Sequence, residues 1–178
     1  MTTAFLQRQP DSSDRERWRA ELATPPPSVH QNHRLVLFLF RVGNARYGIE
    51  PSCIELAAPL STLHSMPHRS ASLAGVVNVR GTVTLCFSLS HILSSSISPP
   101  SPRPMLLVLT HHGWRVACQV DEAVGVAEFE RTSLLPVPAT LDATSRAHVK
   151  GMFAIESGHD IGWLDAESLF KAFDAAAR

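Results

Sequence analysis

The chain has 178 residues, 44% apolar and 18% charged, a composition that excludes a disordered chain and a large multidomain enzyme and leaves one domain or two small lobes sharing a core. Its 16 basic and 16 acidic residues cancel, so no long-range field draws it to nucleic acid or an anionic membrane, and proteins are the expected partners. The longest apolar run, Leu35 to Phe40, is far below the ~20 residues of a membrane helix; with no secretory signal, a cytoplasmic location without direct membrane insertion is expected.

The first 33 residues read as an appended arm. Ser13 and Glu16 stand at capping-box spacing and predict a short helix over about 13–23, with Trp18 and Leu22 four apart on one face. Pro25-Pro26-Pro27 then ends any helix. The remaining chain, 34–175, is divided by the Pro- and Ser-rich stretch 95–104 into lobes expected over about 34–94 and 105–164. Each half opens with a hairpin pattern: Leu35 to Val42, a Gly43-Asn44 turn, then Tyr47 to Ile49; and Met105 to Thr110, a turn over His111 to Gly113, then Trp114 to Val120. Each closes with a glycine-bearing strand, Leu73-Ala74-Gly75-Val76 or Val149-Lys150-Gly151-Met152, followed by a second strand and a helix. The repeated order predicts two related β lobes.

Period-two alternation turns Val83, Leu85, Phe87 and Leu89 to a packed face and Thr82, Thr84 and Ser88 to solvent. The continuous runs Leu35 to Phe40 and Met105 to Leu109 predict central strands covered on both faces. Asp165 is a good N-cap for a terminal helix over 165–175, Leu164 and Leu169 form a hydrophobic staple, and Leu169 and Phe173 supply the buried stripe. Burying those last two stabilises by roughly 3–6 kcal/mol. Cys53, Cys86 and Cys118, odd in number and widely spaced in apolar sequence, predict buried reduced thiols rather than a disulfide framework or a C-x-x-C metal site.

Tyr47-Gly48-Ile49-Glu50 after an apolar strand, then Gly75-Val76-Val77-Asn78-Val79-Arg80-Gly81, then Gln119-Val120-Asp121-Glu122-Ala123-Val124, resemble in that order the CheW-like domains. The resemblance covers roughly Arg34 to Phe173. Met66-Pro67-His68-Arg69-Ser70 and Leu85-Cys86-Phe87-Ser88-Leu89 look most like the accessory coupling subunits of Wsp-type surface-sensing systems, and the Trp18 arm resembles part of their extension. What the resemblance implies is a mainly β fold of two small five-stranded SH3-like barrel lobes with short helices and a C-terminal helix. It also implies a non-catalytic adaptor, without cofactor, between a methyl-accepting chemoreceptor and a CheA-type histidine kinase, with other CheW-like proteins as further partners.

The resemblance gives Ile54, Leu56, Arg80 and Val126 as receptor-facing positions and leaves the kinase contacts unassigned. Arg80, in a glycine-flanked turn, can offer its guanidinium fork to a carboxylate or carbonyl; otherwise it is a surface arginine of a hairpin. The family usually has an acidic residue where Leu56 stands, so either Glu55 takes over in an altered register or a different receptor is recognised. Trp18 and Leu22 form a candidate docking stripe on the arm.

Gly75, Gly81 and Gly151 lack a phosphate-loop arrangement and read as turns and close approaches. His64 and His68, His111 and His112, and His148 and His159 lack zincin spacing, so no metal is expected and they read as solvated loop histidines. Ser88, Ser90, His91 and Asp121 can be assembled on paper into a hydrolase triad, without the nucleophile elbow. Phe129, Leu134 and Leu135 are either docking residues or core. The rival readings are a kinase-only or ring-forming component without receptor contact, and a serine hydrolase.

Overall fold

The structure, a computed structural model, describes residues 33–67, 70–93, 101, 103–155, 158 and 160–178. The expected arm helix with Trp18 and Leu22, His68, His159 and most of the Pro-rich stretch lie outside them. Twelve strands follow in chain order: β1 (Arg34–Val42), β2 (Ala45–Ile49), β3 (Ile54–Pro59), β4 (Leu63–His64), β5 (Leu73–Val79), β6 (Thr82–Ser88), β7 (Met105–His111), β8 (Trp114–Val120), β9 (Glu122–Glu130), β10 (Leu134–Leu135), β11 (Val149–Phe153) and β12 (Ile161–Leu164). Helix α1 (Leu89–Ile92) follows β6, α2 (Ala143–Arg146) precedes β11, and α3 (Ala166–Ala177) ends the chain. None of the described helices is long and apolar enough to cross a membrane.

The turns follow from their residues. β1 and β2 pair from Val42↔Ala45 across Gly43-Asn44, with Gly43 at φ 62°. The β5–β6 and β7–β8 turns place Arg80-Gly81 and His112-Gly113 at positive φ in both central positions, the type I′ geometry that suits strand twist.

Two β lobes are present, each a six-stranded sheet: β10-β11-β12-β2-β1-β9 (lobe A) and β3-β7-β8-β6-β5-β4 (lobe B). The expected assignment of one lobe to each half of the chain is corrected. Hairpin β1–β2 sits with β9 to β12, hairpin β7–β8 sits with β3 to β6, and the parallel pairs β12·β2 and β6·β8 make the junctions. Five strands per lobe become six because the short pairs β4·β5 and β10·β11 extend each sheet.

Burial gives the physical reason for the exchange. Along β1, Leu35, Leu37 and Leu39 join a cluster within lobe A, whereas Phe38, Phe40 and Val42 face a cluster shared by both lobes. Along β7, Leu106 and Val108 belong to lobe B alone, and Met105, Leu107 and Leu109 to the shared cluster. A continuous apolar run satisfies two cores at once only between them, as the runs predicted.

β6 departs from the expected pattern. Val83 is 72% exposed near the hairpin tip, while Thr84 and Cys86 are buried on the lobe B side. An inner strand between two cores buries both faces along its middle, and alternation then marks only which core each side chain meets.

Helix α3 closes the shared cluster as its cap predicts. The Ser168 N–H donates to the Asp165 carboxylate at 3.3 Å and the Leu169 N–H to the Asp165 carbonyl at 3.1 Å. Leu169, Phe170 and Phe173 are buried, and the Phe173 ring lies 4.9 Å from Phe87. All three cysteines are buried free thiols; burial pushes Cys86 up to about 11.

Of the histidines read as solvated, His111 packs its ring 5.4 Å from Phe170. His148 shares a 3.1 Å hydrogen bond with the Ser168 hydroxyl, and its carbonyl accepts from the Asp165 N–H. Burial pushes the His148 pKa below its usual 6.5, with the Asp165 charge acting in the opposite direction. A base whose folded pKa is depressed takes up its proton more readily when unfolded, so stability falls as pH drops through the ordinary histidine range. His148→Gln is therefore expected to flatten the loss of melting temperature between about pH 7 and about pH 5.5. Equal slopes in the two proteins would rule this out.

Candidate functional surface

The bulge in β3 decides where the expected receptor-facing residues go. Ile54 pairs with Leu109 and Leu56 with Val108, so Glu55 is the extra residue. Without the bulge, Ile54 and Leu56 would share a face. With it, Ile54 packs against the shared cluster and Leu56 against lobe B's own cluster. The structure does not bring these two into one groove.

Val126 lies opposite Phe38 on the edge strand β9 and is 61% exposed. Phe38 and Ile54 both pack against the shared cluster, whereas Val126 stands exposed. Arg80 caps the β5–β6 hairpin at φ 53°, exposed, and makes no ion pair among the described residues. The Gly81 N–H donates to the Asn78 side-chain oxygen at 2.8 Å, which holds the turn.

Glu55 is engaged. Arg115 on β8 donates from Nε to Oε2 at 2.7 Å and from Nη2 to Oε1 at 2.9 Å, and its Nη1 donates to the Thr84 hydroxyl at 2.7 Å. The Arg115 hydrogen bonds hold the Glu55 carboxyl below the usual carboxylate range, and the positive charges of Arg115 and Arg80 add to the effect. Sequence reading singled out Glu55 but missed Arg115 and Thr84. The available signal was a charged residue inside the apolar strand Trp114 to Val120, which calls for a partner.

The remaining candidates separate cleanly. The Ser88 hydroxyl lies 2.8 Å from both the Ser90 hydroxyl and His91 Nδ1. Asp121 instead accepts from the Gly43 N–H at 2.6 Å and, through its own N–H, donates to the Arg41 carbonyl at 2.9 Å. The proposed acid therefore pins the β1–β2 turn. Phe129, stacked 4.6 Å from Phe153, and Leu134 pack into lobe A, while Leu135 is 47% exposed. A cleft of about 310 Å³ lies between the β7–β8 tip and α3, with Trp114 and Phe170 in its walls. Glu167, also there, is paired with Lys171 at 2.7 Å. Among the described residues, no three His, Cys, Asp or Glu side chains gather as metal ligands.

Comparison with known proteins agrees with this architecture. The family model of the CheW-like domain matches residues 36–174. The chemotaxis protein CheW of Rhizobium meliloti (strain 1021) is 25% identical over 141 residues, covering 79% of this chain and 90% of that protein. A probable chemotaxis protein CheW of Rhizobium etli is 24% identical over 150 residues, covering 84% and 96%. The crystal structure of the scaffolding protein TtCheW from Thermoanaerobacter tengcongensis superposes with a TM-score of 0.67 at 15% identity, covering 80% of this chain and 91% of that one. Because the family match runs through both exchanged hairpins and into α3, the chain belongs to the CheW-like domain family, a family of non-catalytic scaffolds, with a coupling role in chemosensory signalling.

Proposed function

We propose that the chain is a bivalent adaptor that joins a methyl-accepting chemoreceptor to a CheA-type histidine kinase, in the cytoplasm and recruited to receptor arrays. Simultaneous binding biases the kinase between activity states, a coupling that needs two surfaces and no bond chemistry. Arg80, Ile54 and Val126 belong to the receptor-facing surface, and the kinase meets a separate lobe face. The observation that carries this reading is Arg80: exposed at the tip of a two-residue turn, without an ion pair among the described residues, on a chain of the scaffold family. The likeness of 66–70 and 85–89 to Wsp-type accessory subunits supports a surface-sensing system as the setting.

Arg80→Glu is expected to weaken receptor binding at least about tenfold while kinase binding in a pull-down stays unchanged. Equal loss of both, or loss of neither in a folded variant, counts against separate surfaces. A second reading is a kinase-only or ring-forming component. It is favoured by Leu56, which packs into lobe B's own cluster. Co-purification with kinase and never with receptor would select it.

A further inference from the structure

Two adjoining clefts lie where the β7–β8 tip meets α3, and none of Ile54, Leu56, Arg80 and Val126 lines either of them. The larger, of about 310 Å³, is lined by Trp114 and Phe170. The smaller, of about 210 Å³, is polar, lined by Glu50, Ser52, Lys150 and Asp165. His111, His112 and Glu167 line both, so the two share a wall.

That wall is built before any ligand arrives. His111 and Trp114 stand directly opposite each other in the β7–β8 register, and the His112-Gly113 turn between them fixes the tip. Across the cleft, Phe170 and Phe173 anchor α3 in the shared cluster. A site held on both sides loses little freedom on binding. Trp114 nevertheless stays 52% exposed, a large aromatic surface left uncovered at the rim.

The charges around the clefts cancel in pairs, with one left over. Lys150 pairs with Asp165 at 3.2 Å, Lys171 with Glu167 at 2.7 Å and Arg178 with Asp174 at 2.7 Å. Glu50, half-buried, makes no ion pair among the described residues. The surplus charge is therefore a carboxylate. His111 Nε2 is also shut off from solvent without a hydrogen-bond partner among the described residues. Acting as an acceptor, it suits a guanidinium, which only donates and which also stacks well on an indole face.

We propose that these clefts dock a basic segment of a protein partner, an apolar side chain seated against Trp114 and Phe170 and a neighbouring arginine reaching Glu50 and His111. An acidic segment would meet Glu50 as a like charge and is disfavoured. The proposal does not depend on the receptor-facing reading of Arg80, and its failure leaves that reading standing.

The test titrates the blocked dipeptide acetyl-leucyl-arginine amide into the full chain and follows the NMR shifts of the Trp114 indole and the Glu167 N–H. Saturable shifts at both are expected, with a Kd of about 1 mM, a strength within reach of so small a ligand. The leucyl-glutamate counterpart is expected to bind at least about tenfold more weakly. Trp114→Ala and Glu50→Gln are each expected to weaken the arginine peptide at least about fivefold at unchanged melting temperature; Glu50→Gln serves alone if Trp114→Ala does not fold. No saturable shift at Trp114 up to about 10 mM peptide, equal binding of the acidic peptide, or undiminished binding in Glu50→Gln overturns the proposal.

Discussion

Phe173→Ala is expected to lower stability by about 3–5 kcal/mol, the usual loss when a fully buried phenylalanine is truncated. Phe173 is 1% exposed, with its ring 4.9 Å from Phe87 on β6 and 5.3 Å from Phe170. The cluster it completes also contains Phe40 and Tyr47 of lobe A and Leu107 and Cys118 of lobe B. A cavity there removes contacts from both sheets at once, so the effect is a sizeable part of the roughly 5–15 kcal/mol that holds an ordinary domain together. Urea unfolding is expected to show one cooperative transition, shifted to lower denaturant with an unchanged slope. Two separated transitions would mean that the lobes unfold independently, against the shared core. Lys171→Ala on the same helix is the control, since its pair with Glu167 is exposed and screened by solvent.

Gly75→Ala is expected to cost roughly 2–6 kcal/mol, combining backbone strain with overpacking. Gly75 has φ +144°, and a Cβ there would lie 2.2 Å from the His64 carbonyl oxygen. That oxygen is backbone of β4, whose pairing Leu63↔Val77 and His64↔Val76 finishes lobe B, so relief requires moving a strand. Gly151 occupies the matching place in lobe A, where β10 crosses β11. There a Cβ would first meet Leu134 Cδ1 at 2.6 Å, a side-chain tip that can rotate. Gly151→Ala is therefore expected to cost less, roughly 1–3 kcal/mol. Equal shifts in melting temperature for the two variants would contradict this difference.

By itself the sequence determined the features whose causes lie within a few residues of each other. The α3 cap at Asp165, the turns at Gly43-Asn44, Arg80-Gly81 and His112-Gly113, and the doubly covered strands β1 and β7 are local matters of capping, backbone φ and apolar runs. The resemblance to CheW-like domains was legible for the same reason, since its segments are short and retain their order. Only the tertiary structure decided which sheet each hairpin joins, because hairpin register is set by its own turn and carries no trace of the parallel neighbour. It also decided the bulge at Glu55, which separates Ile54 from Leu56, and the pairing of Glu55 with Arg115, 60 residues apart. A contact at that separation is fixed by how strands stack side by side, and one inserted residue reverses which face the following side chain presents.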